Sequence, residues 1–245
     1  MKDINYPAPQ GEYKVDVLNG CDWKGYKHVL LGISLGSKNH AGQKLFALIE
    51  WASHRFETTT ILVADSLQRH NIMLATGCDE QEALHQSLQM GDLWIKQNQH
   101  LFDMLPQYNL HRIDNFKKDA LFDRTFSTVQ NLFNNNDLFK SIVETDIKSF
   151  WLRRGMEMTQ QGITYDQFYN SSKNYILEEL GVMCVVATQY PGVEAYPGKF
   201  LNILKNPLRL QIPELPEVLK KYALIEVDYT KNKGVIFGQK FKSNQ

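Results

Sequence analysis

Apolar positions along the chain change period several times, and each change marks an element. His28–Ser34 (HVLLGIS) is a short apolar run with no helical repeat, the pattern of a strand buried on both faces. After the turn LGSKNHAG, the residues Leu45, Phe46, Leu48, Ile49, Ala52 and Phe56 fall on one helical stripe of about four turns. Thr58–Asp65 (TTTILVAD) returns to a β-branched apolar run. Strand, glycine-containing turn, helix and strand make a βαβ unit, which predicts a parallel sheet with a right-handed crossover. Helical patterning follows over Asp79–Leu105, then a third strand in Tyr108–Phe116, then helices over Ala120–Arg154 and Tyr165–Leu180. Val182–Ala187 (VMCVVA), Val193–Gly198 (VEAYPG) and Tyr222–Tyr229 (YALIEVDY) read as strands. The alternation predicts an α/β protein of three layers, a parallel sheet flanked by helices. Residues 1–25, rich in Pro, Gly and polar side chains, are expected to form an irregular N-terminal arm, and residues 26–245 a single domain.

Composition narrows the function classes. A hydrophobic share of 43% with 22% charged residues over 245 residues excludes a disordered or fibrous chain. Lys+Arg 27 balance Asp+Glu 27, so there is no general polybasic coat, and no DNA partner is expected. The balance is uneven: from Lys199 to Gln245 there are eight Lys and one Arg against three Glu and one Asp, a net +5 on an acidic body. Cys21, Cys78 and Cys184 are odd in number and lack CxxC spacing, so neither a disulfide framework nor a zinc knuckle follows. The segment MKDINYPAPQ has no apolar signal core, and the longest apolar runs, Val29–Ile33 and Gly181–Ala187, are too short to span a bilayer. A cytoplasmic protein with no membrane partner is expected.

Three short motifs carry candidate chemistry. Ser34 lies in Gly32-Ile33-Ser34-Leu35-Gly36 at the end of the first strand of the βαβ unit. In an open α/β sheet, strand carboxyl ends and a helix N-terminus converge at such a turn. The turn lacks both GxxxxGK[ST] and GxGxxG but has the G-x-S-x-G form of a nucleophile elbow. A serine hydrolase would place that elbow after several strands and a histidine late in the chain, whereas none follows His111. A tight turn without chemistry is the plain alternative. The second motif is Tyr175 and Glu179, four residues apart on one helical face with Phe168 and Ser172. That face points inward, and an inward Glu needs a cationic partner or a raised pKa. A surface Glu on a slightly rotated helix is its alternative. The third is Glu194-Ala195-Tyr196-Pro197-Gly198, a short strand that delivers Tyr196 to a carboxyl end, or simply an aromatic core residue before a turn.

These pieces, in this order, resemble the tRNA-dependent cyclodipeptide synthases over roughly His28 to Gly198. HVLLGISLGSKN is similar to that family's first signature, with Ser34 at the nucleophile position. LIEWASHRFETTTILVAD, with Trp51, Arg55-Phe56-Glu57 and Asp65, also reads like family sequence, and NYILEEL resembles the second signature. Ser37, three residues after Ser34, and the later pair Tyr196-Pro197 resemble the Tyr-Pro subfamily, with Tyr190-Pro191 as a competing pair.

The resemblance implies a Rossmann-like fold similar to the catalytic domain of class I Tyr- and Trp-tRNA synthetases. No HIGH or KMSKS string is present, so the amino acids would arrive already esterified to tRNA, with neither ATP nor a metal as cofactor. Ser34 would form an aminoacyl-enzyme, and Tyr175 and Glu179 would hold the α-ammonium. A second aminoacyl-tRNA would supply the amine that attacks the acyl-enzyme, giving a dipeptidyl-enzyme, and Tyr196 would relay a proton as a diketopiperazine closes. The first amino-acid pocket would contain Leu30, Gly32, Leu62 and Val182, an apolar set that implies a hydrophobic first residue. The second would lie near Ser37 and Ala64, and Pro197 would also contact substrate. A monomer is expected, meeting aminoacyl-tRNA through Lys117-Lys118, Arg153-Arg154 or the basic C-terminal segment, because Gln86–Leu101 has one Lys and no Arg. A tailoring enzyme would be the downstream partner. The alternatives in other classes are a catalytically silent tRNA- or nucleotide-binding module with the same fold, and a serine hydrolase.

Overall fold

The computed structural model describes residues 12–232, and leaves outside it residues 1–11 of the expected arm and 233–245 of the basic segment. Six strands form one sheet: β1 (Tyr13–Gly20), β2 (His28–Ile33), β3 (Thr58–Val63), β4 (Tyr108–Arg112), β5 (Val193–Pro197) and β6 (Leu224–Lys231). Their order across the sheet is β1-β6-β5-β2-β3-β4. The five strands from β4 to β6 run parallel, and β1 adds an antiparallel edge on β6. The parallel strands thus have the 3-2-1-4-5 order of the doubly wound fold, whose direction of winding reverses between β2 and β5.

Both faces of the sheet are covered, which explains why the central strands are unbroken apolar runs. On one face Val29, Leu31, Ile33, Ile61 and Val63 pack against α1 (Gly42–Ser53). On the other, Leu30, Leu62 and Ala64 meet Val182, Val185 and Val186. Between β3 and β4 run α2 (Gln68–Thr76) and α3 (Glu80–Phe102); between β4 and β5 run α4 (Ile113–Lys117), α5 (Ala120–Asn135), α6 (Asp137–Gln160) and α7 (Tyr165–Gln189). No helix among the described residues is long and apolar enough to cross a membrane.

Three expectations change, and one helix appears that was not expected. Val182–Ala187 is not a strand but the last turns of α7, the 25-residue helix that starts from a Thr164–Gln167 capping box. Its residues Leu180–Val186 are all buried, so no polar stripe exposes the 3.6-residue period, and a helix enclosed on all sides looks like a strand in sequence. The third strand ends at Arg112, and Ile113–Phe116 turns into α4. The segment α2 carries too weak an apolar pattern to be expected. The irregular arm of residues 1–25 is also revised: within it, Tyr13–Gly20 is β1, where Val15 turns inward from an edge strand that is otherwise half-buried or exposed.

Candidate active site

Ser34 follows β2 and Tyr196 lies in β5, so the two flank the crevice where the sheet reverses its winding. Their hydroxyls are 3.1 Å apart. The turn that presents Ser34 is fixed from several sides. Gly36 adopts φ +77°, the left-handed region that favours glycine. Ser37 caps the short turn Lys38–His40 by accepting from the Asn39 amide. Asn39 in turn donates to the Pro197 carbonyl at 2.9 Å, which ties the turn to the end of β5. The Ser34 amide donates to His40 Nδ1 at 3.0 Å. His40 is buried, and burial holds its pKa down at about 4, so it stays neutral. Although it is close to Ser34 in sequence, His40 is bonded to the backbone and not to Oγ, so Ser34 has no Ser-His hydrolase pair.

Helix α7 supplies two consecutive glutamates with opposite surroundings. Glu178 faces α2 and α4, where Arg69 makes a bidentate pair with it (3.0 and 2.6 Å), Lys117 approaches to 2.8 Å and His70 to 2.9 Å. Burial alone would raise its pKa, but the bonds from His70, Arg69 and Lys117 outweigh it and hold the carboxyl far below its usual range. Glu179, about 100° further round the helix, points to the Ser34 crevice with Tyr175. It has no hydrogen bond or ion pair to another described residue, and burial first, then Glu194 and Asp146, push its pKa up to about 8. Burial and Glu179 likewise raise Tyr175, and burial raises Tyr196 despite the bond to Ser34, so both tyrosines keep their protons.

These groups share a cavity of about 580 Å³ that Ser34, Ser37, Tyr175, Glu179, Tyr196 and Pro197 border, with Arg153 and Arg154 of α6 also on its wall. A narrower cavity of about 30 Å³ also touches Ser34 and is bordered by Leu30, Gly32, Leu62, Ala64 and Val182. Each candidate residue therefore borders one of two cavities that share Ser34, Glu179 and Tyr196 in their walls. Ala64, expected near Ser37, instead joins Leu30 and Leu62, because residue 64, just past the end of β3, leaves the same face as residue 62. Tyr190 is elsewhere, 2.8 Å from His111 Nε2. Lys117 is engaged by Glu178 and Asp114.

Three contributors were not singled out as site residues. His40 and Asn39 position the serine turn, and Glu194 places a carboxyl in both cavities, with its pKa raised by burial to about 7. The signal for Glu194 was available in principle: it stands two residues before Tyr196 and must share its face.

The model of the family described as cyclodipeptide synthase matches residues 21–190. The chain belongs to the cyclodipeptide synthase family. The matched span includes Ser34, Tyr175 and Glu179 and stops before β5, which brings Glu194 and Tyr196. No curated protein matches the chain. Among solved structures, a cyclodipeptide synthase from Fluoribacter dumoffii is similar with TM-score 0.77 and 22% identity, over 89% of this chain and 99% of that one. A cyclodipeptide synthase from Candidatus Glomeribacter gigasporarum, bound to Phe-tRNAPhe, has TM-score 0.64 and 17% identity, over 89% of this chain and 93% of that one. A Mycobacterium tuberculosis protein, described as demonstrating that cyclodipeptide synthetases are related to type I tRNA synthetases, has TM-score 0.63 and 13% identity, over 95% and 99%. At these identities the likeness is one of fold, and it agrees with the synthetase-like Rossmann fold implied by the two signatures.

Proposed function

We propose that the chain joins two amino acids, each delivered as an aminoacyl-tRNA, into a cyclic dipeptide while they are carried on Ser34. It is an aminoacyltransferase of the Tyr-Pro subfamily, with Ser37 and Tyr196-Pro197 in the diagnostic places. The observation that carries this reading is a serine hydroxyl paired with a tyrosine in one cavity with an uncompensated glutamate. A buried glutamate without a protein partner fits a cationic substrate group such as an α-ammonium, whose charge favours the ionised carboxylate. The tRNA-bound synthase from Candidatus Glomeribacter gigasporarum supports aminoacyl-tRNA as the donor.

In the first step Ser34 Oγ attacks the ester carbonyl, the bond to the ribose oxygen breaks, and the serine proton leaves with the ribose hydroxyl. The substrate is already an activated ester, which makes a base-poor serine sufficient when it is well positioned. The second step must run with the opposite polarity to the sequence-based expectation. If the incoming amine attacked the acyl-enzyme, the dipeptide would end on tRNA. To stay on the enzyme, the amine of the serine-bound residue attacks the second ester, the bond to the second ribose oxygen breaks, and that oxygen leaves as a hydroxyl with a proton released by the amine. Glu179 holds that amine as ammonium, and a carboxyl near pKa 8 matches an α-amino group closely enough to take its proton. The new amino terminus then attacks the Ser34 ester. Tyr196 passes a proton to Oγ as the ester bond breaks and receives the one released by the amine.

Activation occurs before the substrate arrives, so no ATP is used. Arg153 and Arg154 at the cavity wall suit the phosphates of the acceptor end, and a tailoring enzyme acting on the released ring is the downstream partner. The test is purified protein offered mixed aminoacyl-tRNAs, with intact mass read for a Ser34 adduct and the solution read for diketopiperazines. Adduct and product that both vanish in Ser34→Ala support the reading. Product formation without any serine adduct removes the covalent mechanism.

A further inference from the structure

Glu194 and Tyr196 leave the same face of β5, and Leu30, Gly32 and Ser34 leave the matching face of β2 beside it. Gly32 has no side chain, and the Glu194 carboxyl fills the space: a Cβ on residue 32 would stand 2.8 Å from Oε1. Oε2 accepts a hydrogen bond from the Tyr222 hydroxyl at 2.6 Å. Oε1 has no hydrogen-bond partner among the described residues, and the carboxyl borders the narrow cavity at Ser34 with Leu30, Leu62 and Val182. Glu194 is 7% exposed, yet no Lys, Arg or His among the described residues forms an ion pair with it. Such a group, satisfied on one oxygen only by a neutral hydroxyl, is costly to keep unless something entering the cavity completes it. Glu178 on the neighbouring helix shows how the same fold treats a glutamate meant for structure, with three basic side chains around it.

We propose that Glu194 selects the first amino acid, so that the narrow cavity takes a slender side chain ending in a hydrogen-bond donor, a hydroxyl, amide or ammonium, and disfavours a purely hydrocarbon one. The inference rests on the reading that Ser34 carries the first aminoacyl group with its ammonium at Glu179. In that arrangement the acyl carbon is fixed on Oγ and the amine is fixed above it, which leaves the side chain to descend past Leu30, Leu62 and Val182. At the floor it meets Glu194. The apolar wall packs the stem, and Oε1 receives the donor at the tip. The hydrophobic first residue expected from Leu30, Gly32, Leu62 and Val182 alone is thereby replaced, because the residue that reads the side chain comes from β5.

The test uses total bacterial tRNA charged with all twenty amino acids, incubated with the purified full chain. Ser34 adducts are measured by intact mass, and the amino acids released from them by hydrolysis are identified. For the wild type, adducts of donor-bearing residues are expected. In Glu194→Leu, the ratio of donor-bearing to aliphatic adducts should fall by about 10-fold or more. Glu194→Gln keeps the shape and an acceptor for Tyr222, and should show a smaller fall in the same direction even if the Leu variant does not fold. Aliphatic adducts in the wild type, or the same ratio in a folded Gln variant, would overturn the proposal. Loss of all acylation in a folded variant would do so as well, by placing Glu194 in the chemistry and not in selection. Absence of any wild-type adduct is a different result, for it removes the serine reading itself.

Discussion

The Ser34 and Tyr196 hydroxyls lie 3.1 Å apart although 162 residues separate them in sequence. The winding order produces this contact: β2 is the first strand of the parallel set and β5 the fourth, and they become neighbours only where the sheet changes direction. Asn39 then locks the serine turn to Pro197, so the pair is held by the backbone on both sides. The two hydroxyls are therefore preorganised before any substrate enters, as the proposed roles of nucleophile and proton carrier require.

That geometry gives distinct outcomes for the two hydroxyls. Ser34→Ala should abolish both the adduct and the cyclic product while leaving the melting temperature within a few degrees of wild type, because a half-buried hydroxyl is all that is removed. Tyr196→Phe should still form the aminoacyl adduct but slow release of the ring by about 10²–10⁴-fold, the usual range for losing a positioned proton-transfer group. Single-turnover acylation measured beside steady-state product formation separates the two. Equal slowing of both phases would show that Tyr196 activates Ser34 from the outset.

Glu178 and Glu179 should respond oppositely to the same substitution. Glu178 has a depressed pKa, so its stabilising contribution is present above the ordinary carboxylate range and is lost as pH falls through its lower folded value. Removing its charge leaves Arg69 and Lys117 without their partner, and Glu178→Gln should cost about 3–5 kcal/mol at pH 7. Glu179 is raised to about 8, so the folded protein favours its proton and loses stability as pH rises from the unfolded value through 8. Glu179→Gln should therefore be more stable than wild type at pH 8.5, by on the order of 1–3 kcal/mol, with the gap closing toward pH 5. Urea denaturation at the two pH values checks both signs.

The same raised pKa shapes the reaction. In the proposed reaction an ammonium is gripped by the Glu179 carboxylate, which a pKa of about 8 keeps mostly protonated at pH 6 in the free enzyme. Acylation at limiting aminoacyl-tRNA should rise from pH 6 to a maximum near 8. Glu179→Gln should be slow throughout and lose the acid limb. Initial rates corrected for spontaneous ester hydrolysis decide this, and an unchanged acid limb in the variant would assign it to another group, Glu194 first.

How much of this was legible in sequence differs from element to element. Periodicity made it legible that Ser34 ends a strand and that Tyr175 and Glu179 share one helical face, but choosing the inward, chemical alternative for them needed the family resemblance. The first βαβ unit was legible from periodicity. The C-terminal half of α7 was not, since periodicity is visible only when one face stays polar, and Leu180–Val186 is enclosed on every side. Which of two adjacent glutamates would be neutralised was also hidden: the cations come from Arg69, His70 and Lys117, some 60 to 110 residues earlier in the chain. The importance of Glu194 is hidden in sequence because it depends on Gly32, two residues beyond its β2 partner Leu30, leaving room for the carboxyl, and strand register is a tertiary fact.

The scaffold behind the serine makes a last prediction, at Gly91. Asp65, at the end of β3, is fully buried and bonds Arg112 at the end of β4, whose guanidinium also donates to the Leu88 carbonyl on α3 at 2.7 Å. Gly91 lets α3 approach this pair: a Cβ there would lie 2.9 Å from the Asp65 Cβ, a contact that requires the helix or the strand end to move. In a free helix, Gly91→Ala would add about 1 kcal/mol of stability. Here the steric term should win, giving a net loss of about 1–3 kcal/mol, the usual cost of overpacking a filled site. Chemical denaturation reads the net effect. Because Asp65 directly follows Ala64, which borders the narrow cavity, the variant's Ser34 acylation rate should also drop, whereas Gly25→Ala, with nothing within 4 Å of its added methyl, should leave both measurements unchanged.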